Sequence, residues 1–265
     1  MVKTYAYGFP RIGKNREYKK TIESFWKEKI TENELLDNMK NLEDGILNTY
    51  RENVDWYPTN EMTLYDKMFD MAILLGKYDP KNLNEYYDLC RGENALEMTK
   101  WFNTNYHYLV SDFSDWDEPK FKHNKNFSTT GDNPHLIGPF TFLKLSKGIP
   151  EDKFEEFILQ LAKIYKEIID DYTIVHIDEP AFTMDITTKE VNLIKKVYEI
   201  MSKTRMGTKI NVFTYYEDVT WIKQLIELPV NGIGLDLING KDNLRNLEMI
   251  KFPKDKILFA GFVDG

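Results

Sequence analysis

Short runs of β-branched and aromatic residues alternate along this chain with longer stretches whose apolar positions recur at helical spacing. That alternation predicts βα units around a mainly parallel sheet. Seven runs read as strands: "KTYAYGF" (3–9), "VDWYPTNE" (54–61), "HLIGPFTFL" (135–143), "YTIVHIDEP" (172–180), "KINVFTYY" (209–216), "GIGLDLI" (232–238) and "KILFAGFV" (256–263). In "PEDKFEEFILQLAKIYKEIIDD", Phe154, Phe157, Ile158, Leu161, Ile164 and Tyr165 keep the spacing of one buried helix face, as a crossover helix requires. Two more helices, over 17–29 and 32–53, make the first connection unusually long. The aromatic segment 97–113 reads as an inserted hairpin or arm between the second and third strands, and 120–134, rich in Asn, Ser, Thr, Gly and Pro, as a mobile loop. A doubly wound sheet is the alternative, but so many βα units favour an α/β barrel of the (β/α)₈ TIM type with one strand missing.

With 42% hydrophobic and 14% aromatic residues among 265, the chain can fill a sizeable core. Its net charge of -8 argues against a nucleic-acid backbone or an anionic membrane as a general partner, so an anion needs a local basic pocket. The single cysteine, Cys90, excludes an internal disulfide and a zinc site of several thiolates within these residues, and fits a reducing cytoplasmic setting. Lys3 interrupts the one apolar N-terminal stretch before it could serve as a signal peptide, and no run is long enough to span a bilayer.

In barrels of this type the loops after the strands carry function. After the first strand come Gly8, Pro10, Arg11, Gly13 and Lys14, then Arg16, Lys19 and Lys20 at helical spacing near a helix N-terminus. Shared on one face, these cations suit a carboxylate or phosphate ligand. The competing reading is a solvated face with pairs such as Lys19 and Glu23. Asp178 and Glu179 in "HIDEPAF" are adjacent, so strand alternation sends them to opposite sides, with His176 a possible base or a core histidine. Asp236 and Asp264 also fall at strand ends. His107, His123, His135 and His176 show no metal-binding spacing, and there is no GxSxG, Walker A or GxGxxG motif.

The opening stretch "GFPRIGKNREYKK", with "EMTKWFNTNYHYLV", "IDEPA", "TYYEDV", "GLDLINGKDN" and "AGFVDG", resembles the N-terminal half of cobalamin-independent methionine synthases, in the order those blocks take in that family. The resemblance implies two barrels in the complete enzyme, the part missing from the first being its last β/α unit, and transfer of a methyl group from 5-methyltetrahydropteroyltriglutamate to homocysteine. It implies that Arg16 and Lys19 bind the anionic folate polyglutamate tail, with Glu17 and Tyr18 in supporting contacts and Lys100 approaching from the arm. It also implies a zinc ion held in the C-terminal barrel and none in residues 1–265, where "KINVFTYY" stands in the place of the HxC pair. On this view the chain is one part of a longer protein, and its partners are the folate and that C-terminal barrel. A stand-alone anion- or folate-binding module without catalysis is the alternative.

Overall fold

Uninterrupted aliphatic runs form strands where both faces can be covered, and this determines where the sheet lies. The computed structural model describes residues 2–60, 62–125 and 133–263. Four helices come first: α1 (Glu17–Trp26), α2 (Glu32–Asn53), α3 (Lys67–Leu74) and α4 (Leu83–Arg91). The strands β1 (Met98–Lys100) and β2 (His107–Leu109) then pair antiparallel, Lys100 opposite His107. After them run β3 (His135–Ile137), α5 (Pro139–Lys144), α6 (Phe154–Ile169), β4 (Ile174–Asp178), α7 (Thr188–Met201) and β5 (Lys209–Thr214). The chain continues through α8 (Ile222–Leu225), β6 (Gly232–Asp236), α9 (Lys241–Met249) and β7 (Ile257–Gly261). β3 to β7 form a five-stranded parallel sheet in strict sequence order.

The periodic helix and the arm expected from the sequence are both present. α6 buries Phe157, Ile158, Leu161, Ala162, Ile164, Tyr165, Ile168 and Ile169, and packs beside α7 over the sheet. Each fully buried aliphatic or aromatic side chain contributes about 1.5–3 kcal/mol, so this face anchors the helix. Capping boxes start α2 and α7: Thr31 with Glu34, and Thr187 with Glu190. A second, smaller core lies between α1, α2, α3, α4 and the hairpin, built on Ile22, Leu35, Phe69, Ile73, Tyr86, Cys90 and Leu109.

Two expectations are corrected. The run 135–143 is strand only to Ile137, because Gly138 and Pro139 start α5: proline at the first helical position has the right φ and needs no partner for its missing N–H. Of the runs 3–9 and 54–61, the described residues form no strand, only a parallel bridge between Tyr5 and Trp56. Its hydrogen bonds are Ala6 N–H to the Trp56 carbonyl and Trp56 N–H to the Thr4 carbonyl, both 3.1 Å. Pro10 and Pro58 cannot donate, and Gly8, at φ 138, turns the chain out of extended geometry. Glu61, residues 126–132 of the expected mobile loop, and Asp264 lie outside the described residues.

Glu179, fully buried, follows β4 and turns away from Asp178, as strand alternation requires. Its carboxylate accepts the Phe140 N–H (3.1 Å), the Thr141 N–H (2.7 Å) and the Tyr198 hydroxyl (3.3 Å), joining β4, α5 and α7. A methyl group at Gly138 would overlap that carboxyl. Gly138→Ala is therefore expected to destabilise the fold by about 2 kcal/mol, as overpacking of a fixed buried group does. A urea midpoint equal to wild type would show that the carboxyl can move aside.

Candidate functional site

The cation-bearing stretch is shaped by a turn before α1. Gly13 has φ 77, and a side chain there would overlap the Glu17 carboxylate. Glu17 in turn accepts the backbone N–H (2.8 Å) and side-chain amide (2.9 Å) of Asn15. Its own amide and Asn15 hold the Glu17 carboxyl below the usual range. Arg16 is the N-cap, in the left-handed region at φ 62, ψ 37. It is thus outside the helix, and the expected sharing of one helical face by Arg16, Lys19 and Lys20 does not hold. A non-glycine residue at such φ is strained by about 1–2 kcal/mol, and such strain clusters at functional positions. Lys19 pairs with Glu23 at 3.5 Å across an exposed surface, the solvated-face contact anticipated as the competing reading. Exposed pairs of this kind contribute little, so an anion can displace one readily.

Tyr18 points inward: its hydroxyl donates to the Thr63 carbonyl (3.0 Å), and burial pushes its pKa up to about 12. Across its ring, 5.1 Å from the centroid, lies the Arg11 guanidinium, which also stands 5.7 Å from the Tyr106 ring. Arg11 Nη2 donates to the Tyr65 carbonyl (3.2 Å) and the Tyr106 hydroxyl (3.3 Å). The Tyr106 hydroxyl donates to Asp66 (3.1 Å), the N-cap of α3, which also accepts the Phe69 N–H (2.8 Å) and the Leu109 N–H (3.3 Å). Lys100 is exposed on β1 and has no ion pair among the described residues. It lies beside Trp101, whose N–H donates to the Tyr106 carbonyl (2.8 Å). A chain of contacts through Arg11 therefore connects the helix of Lys19 to the hairpin of Lys100. The sequence reading missed Tyr106 and Asp66 and gave Arg11 no separate part. The one local signal was an aspartate preceding the apolar run of α3.

At the carboxyl ends of the strands, Asp178 accepts the Tyr7 hydroxyl (2.8 Å) and lies 3.6 Å from His135 Nδ1. Burial pushes Asp178 up to about 6 and His135 well below its ordinary value. His176 is stacked on Tyr5 and tilted against Phe213, and burial pushes it down to about 2. Such a weak base is a core histidine, and Glu179 is engaged in holding helices, so these residues do not assemble an acid/base pair. Asp236 accepts the Tyr216, Ile238 and Asn239 amides and orders its own loop. Zinc, which the resemblance implies for the complete enzyme, does not fit these residues. Among those described no three His, Cys, Asp or Glu side chains converge, and burial pushes the Cys90 thiol well up. No helix among them is long and apolar enough to cross a membrane.

These features define an α/β protein whose parallel sheet carries, on its N-terminal side, two exposed cationic segments tied together by a partly buried polar network. The chain belongs to the cobalamin-independent synthase family, whose N-terminal domain matches residues 3–265. A 5-methyltetrahydropteroyltriglutamate–homocysteine methyltransferase of Thermotoga petrophila is 40% identical over 291 residues, covering 100% of this chain and 38% of that protein. The enzyme of that name from Halalkalibacterium halodurans is 37% identical, covering 99% of this chain and 38% of its own length. The chain thus spans well under half the length of these relatives. A B12-independent methionine synthase from Shewanella sp. W3-18-1, solved in complex with selenomethionine, shares the fold with a TM-score of 0.55 at 14% identity, over 88% of this chain and 72% of that one.

Proposed function

We propose that this chain is the folate-polyglutamate-binding, N-terminal part of a methyltransferase that moves the methyl group of 5-methyltetrahydropteroyltriglutamate to homocysteine, giving methionine. The observation that carries this reading is the match of the whole chain, at 40% identity, to a relative of that name. Arg16, Lys19 and Lys100 supply the cations for the tail carboxylates, with Glu17 shaping the turn and Tyr18 seating the helix. In the complete protein the methyl donor and acceptor meet only if both are held, so this half contributes positioning rather than chemistry. Zinc and homocysteine are assigned to a C-terminal barrel, and the setting is the cytoplasm.

The finer fold reading is a TIM-type barrel lacking its last β/α unit. It is supported by the Tyr5–Trp56 bridge, by the Thr59 N–H to Asn133 carbonyl bond (3.2 Å) leading towards β3, and by Tyr5 packing against Phe213 and Phe259. On this reading the two segments stand in the places of the first two strands of the barrel wall.

In the protein as its gene encodes it, Lys100→Ala or Arg16→Ala is expected to raise KM for the triglutamate folate by about 10- to 100-fold, the range of a lost charge-assisted hydrogen bond. KM for a monoglutamate donor should change far less. Equal effects on both donors would remove the tail-binding role.

A further inference from the structure

Resting on the tail-binding reading above, we propose that Arg11 is a positioning residue that locks the hairpin bearing Lys100 to α1 and so sets discrimination by tail length. The guanidinium lies between two aromatic rings from segments far apart in sequence, Tyr18 of α1 and Tyr106 next to β2. Its Nη2 is shared by the Tyr65 carbonyl and the Tyr106 hydroxyl. Tyr106 is fixed at both ends: its hydroxyl donates to Asp66, and its carbonyl accepts the N–H of Trp101, the neighbour of Lys100. Asp66 also accepts the Leu109 N–H, tying the far side of the hairpin to α3. A two-stranded hairpin of three residues per strand has little intrinsic stability, so its placement depends on such anchors.

The consequence is geometric. A flexible chain of glutamates gains from two cationic points only if their separation is fixed, because each freely moving point would have to be ordered on binding. Arg11 supplies that fixation through an Nη2 shared by two protein acceptors. A lysine would keep the charge but lose the planar fork and the stacking that reach both tyrosines.

The test uses the full-length protein with monoglutamate and triglutamate forms of the methyl donor. Arg11→Gln is expected to raise KM for the triglutamate donor roughly tenfold with kcat little changed, the size of coupling seen between residues in one network. The monoglutamate KM stays near wild type. Arg11→Lys should behave like Arg11→Gln, and the Arg11→Gln penalty should vanish when Lys100→Ala is already present. Tyr106→Phe, which keeps the ring and loses only the hydroxyl link, should shift the ratio in the same direction by a smaller factor, and it stands in should Arg11→Gln not fold. Wild-type behaviour of Arg11→Lys, additive penalties with Lys100→Ala, or a Tyr106→Phe ratio equal to wild type would each overturn the proposal while leaving tail binding intact. A Lys100→Ala enzyme with an unchanged triglutamate-to-monoglutamate ratio would overturn the tail-binding reading itself.

Discussion

Glu179→Ala is expected to lower the free energy of unfolding by about 4 kcal/mol, because three buried donors lose their shared acceptor and a cavity opens where the carboxyl stood. The donors are the first amides of α5, on Phe140 and Thr141, and the Tyr198 hydroxyl of α7. No water can replace the carboxyl without entering a fully buried position. Glu179→Gln should cost less, about 1–2 kcal/mol, since its amide oxygen can still accept while its NH₂ must face a donor. Urea denaturation followed by far-UV circular dichroism measures both. A loss below 1 kcal/mol for the alanine variant would mean that α5 does not depend on this cap.

The second large effect is the pH dependence of stability, in which two buried sets oppose each other. Burial raises Glu179 to about 7 and Asp178, Asp66 and Asp70 each to about 6. Between the ordinary carboxyl range and those values the folded state holds protons that the unfolded chain has released, so these groups make stability fall as pH rises through about 4 to 7. His176, pushed down to about 2, and His135, pushed well below its usual value, act the other way. The unfolded chain binds protons on them below about 6.5 while the folded one does not, so stability falls as pH drops below that value. Four raised carboxyls outweigh two depressed imidazoles, so wild-type stability is expected to fall as pH rises from 4.5 to 6.5, less steeply than the carboxyls alone would make it. His176→Phe, which keeps the stack on Tyr5, removes one opposing slope, worth about 1.4 kcal/mol per pH unit. Its stability relative to wild type should accordingly rise as pH falls. Glu179→Gln should gain on wild type as pH rises from 4.5 to 7. Parallel profiles for all three proteins would refute the assignment of these groups.

Much of the sheet was legible because β4 to β7 are short aliphatic runs, and α6 because its apolar residues repeat at helical spacing. The arm was legible as an aromatic, β-prone segment, and within it Met98–Lys100 and His107–Leu109 pair antiparallel in the structure. The third strand was overread because "GPFTFL" is as apolar as a strand, and its helical state is decided by Pro139 and by the Glu179 carboxylate, 39 residues beyond the Phe140 amide that it accepts. The cations of the opening stretch were visible as charge, and the resemblance attached a ligand to them. Their arrangement was not visible: the contacts joining Arg11 to Tyr65 and Tyr106 close loops of 54 and 95 residues, which no local pattern encodes. Periodicity likewise placed Arg16 on a helix face, whereas the bond between Asn15 and Glu17 places it before the helix, at positive φ.

The strict sequence order of β3 to β7 has a consequence for synthesis. Each new strand is hydrogen-bonded to the one completed just before it, so from β3 onward the sheet can grow by accretion as the polypeptide leaves the ribosome. At every step one fresh edge is presented, and the next unit to emerge is the one that covers it. Vectorial growth of this kind lets each strand after β3 pair with the one made just before it, and it keeps the interval during which the edges of β3 to β6 that face the next strand stand open to the time taken to translate a single βα unit.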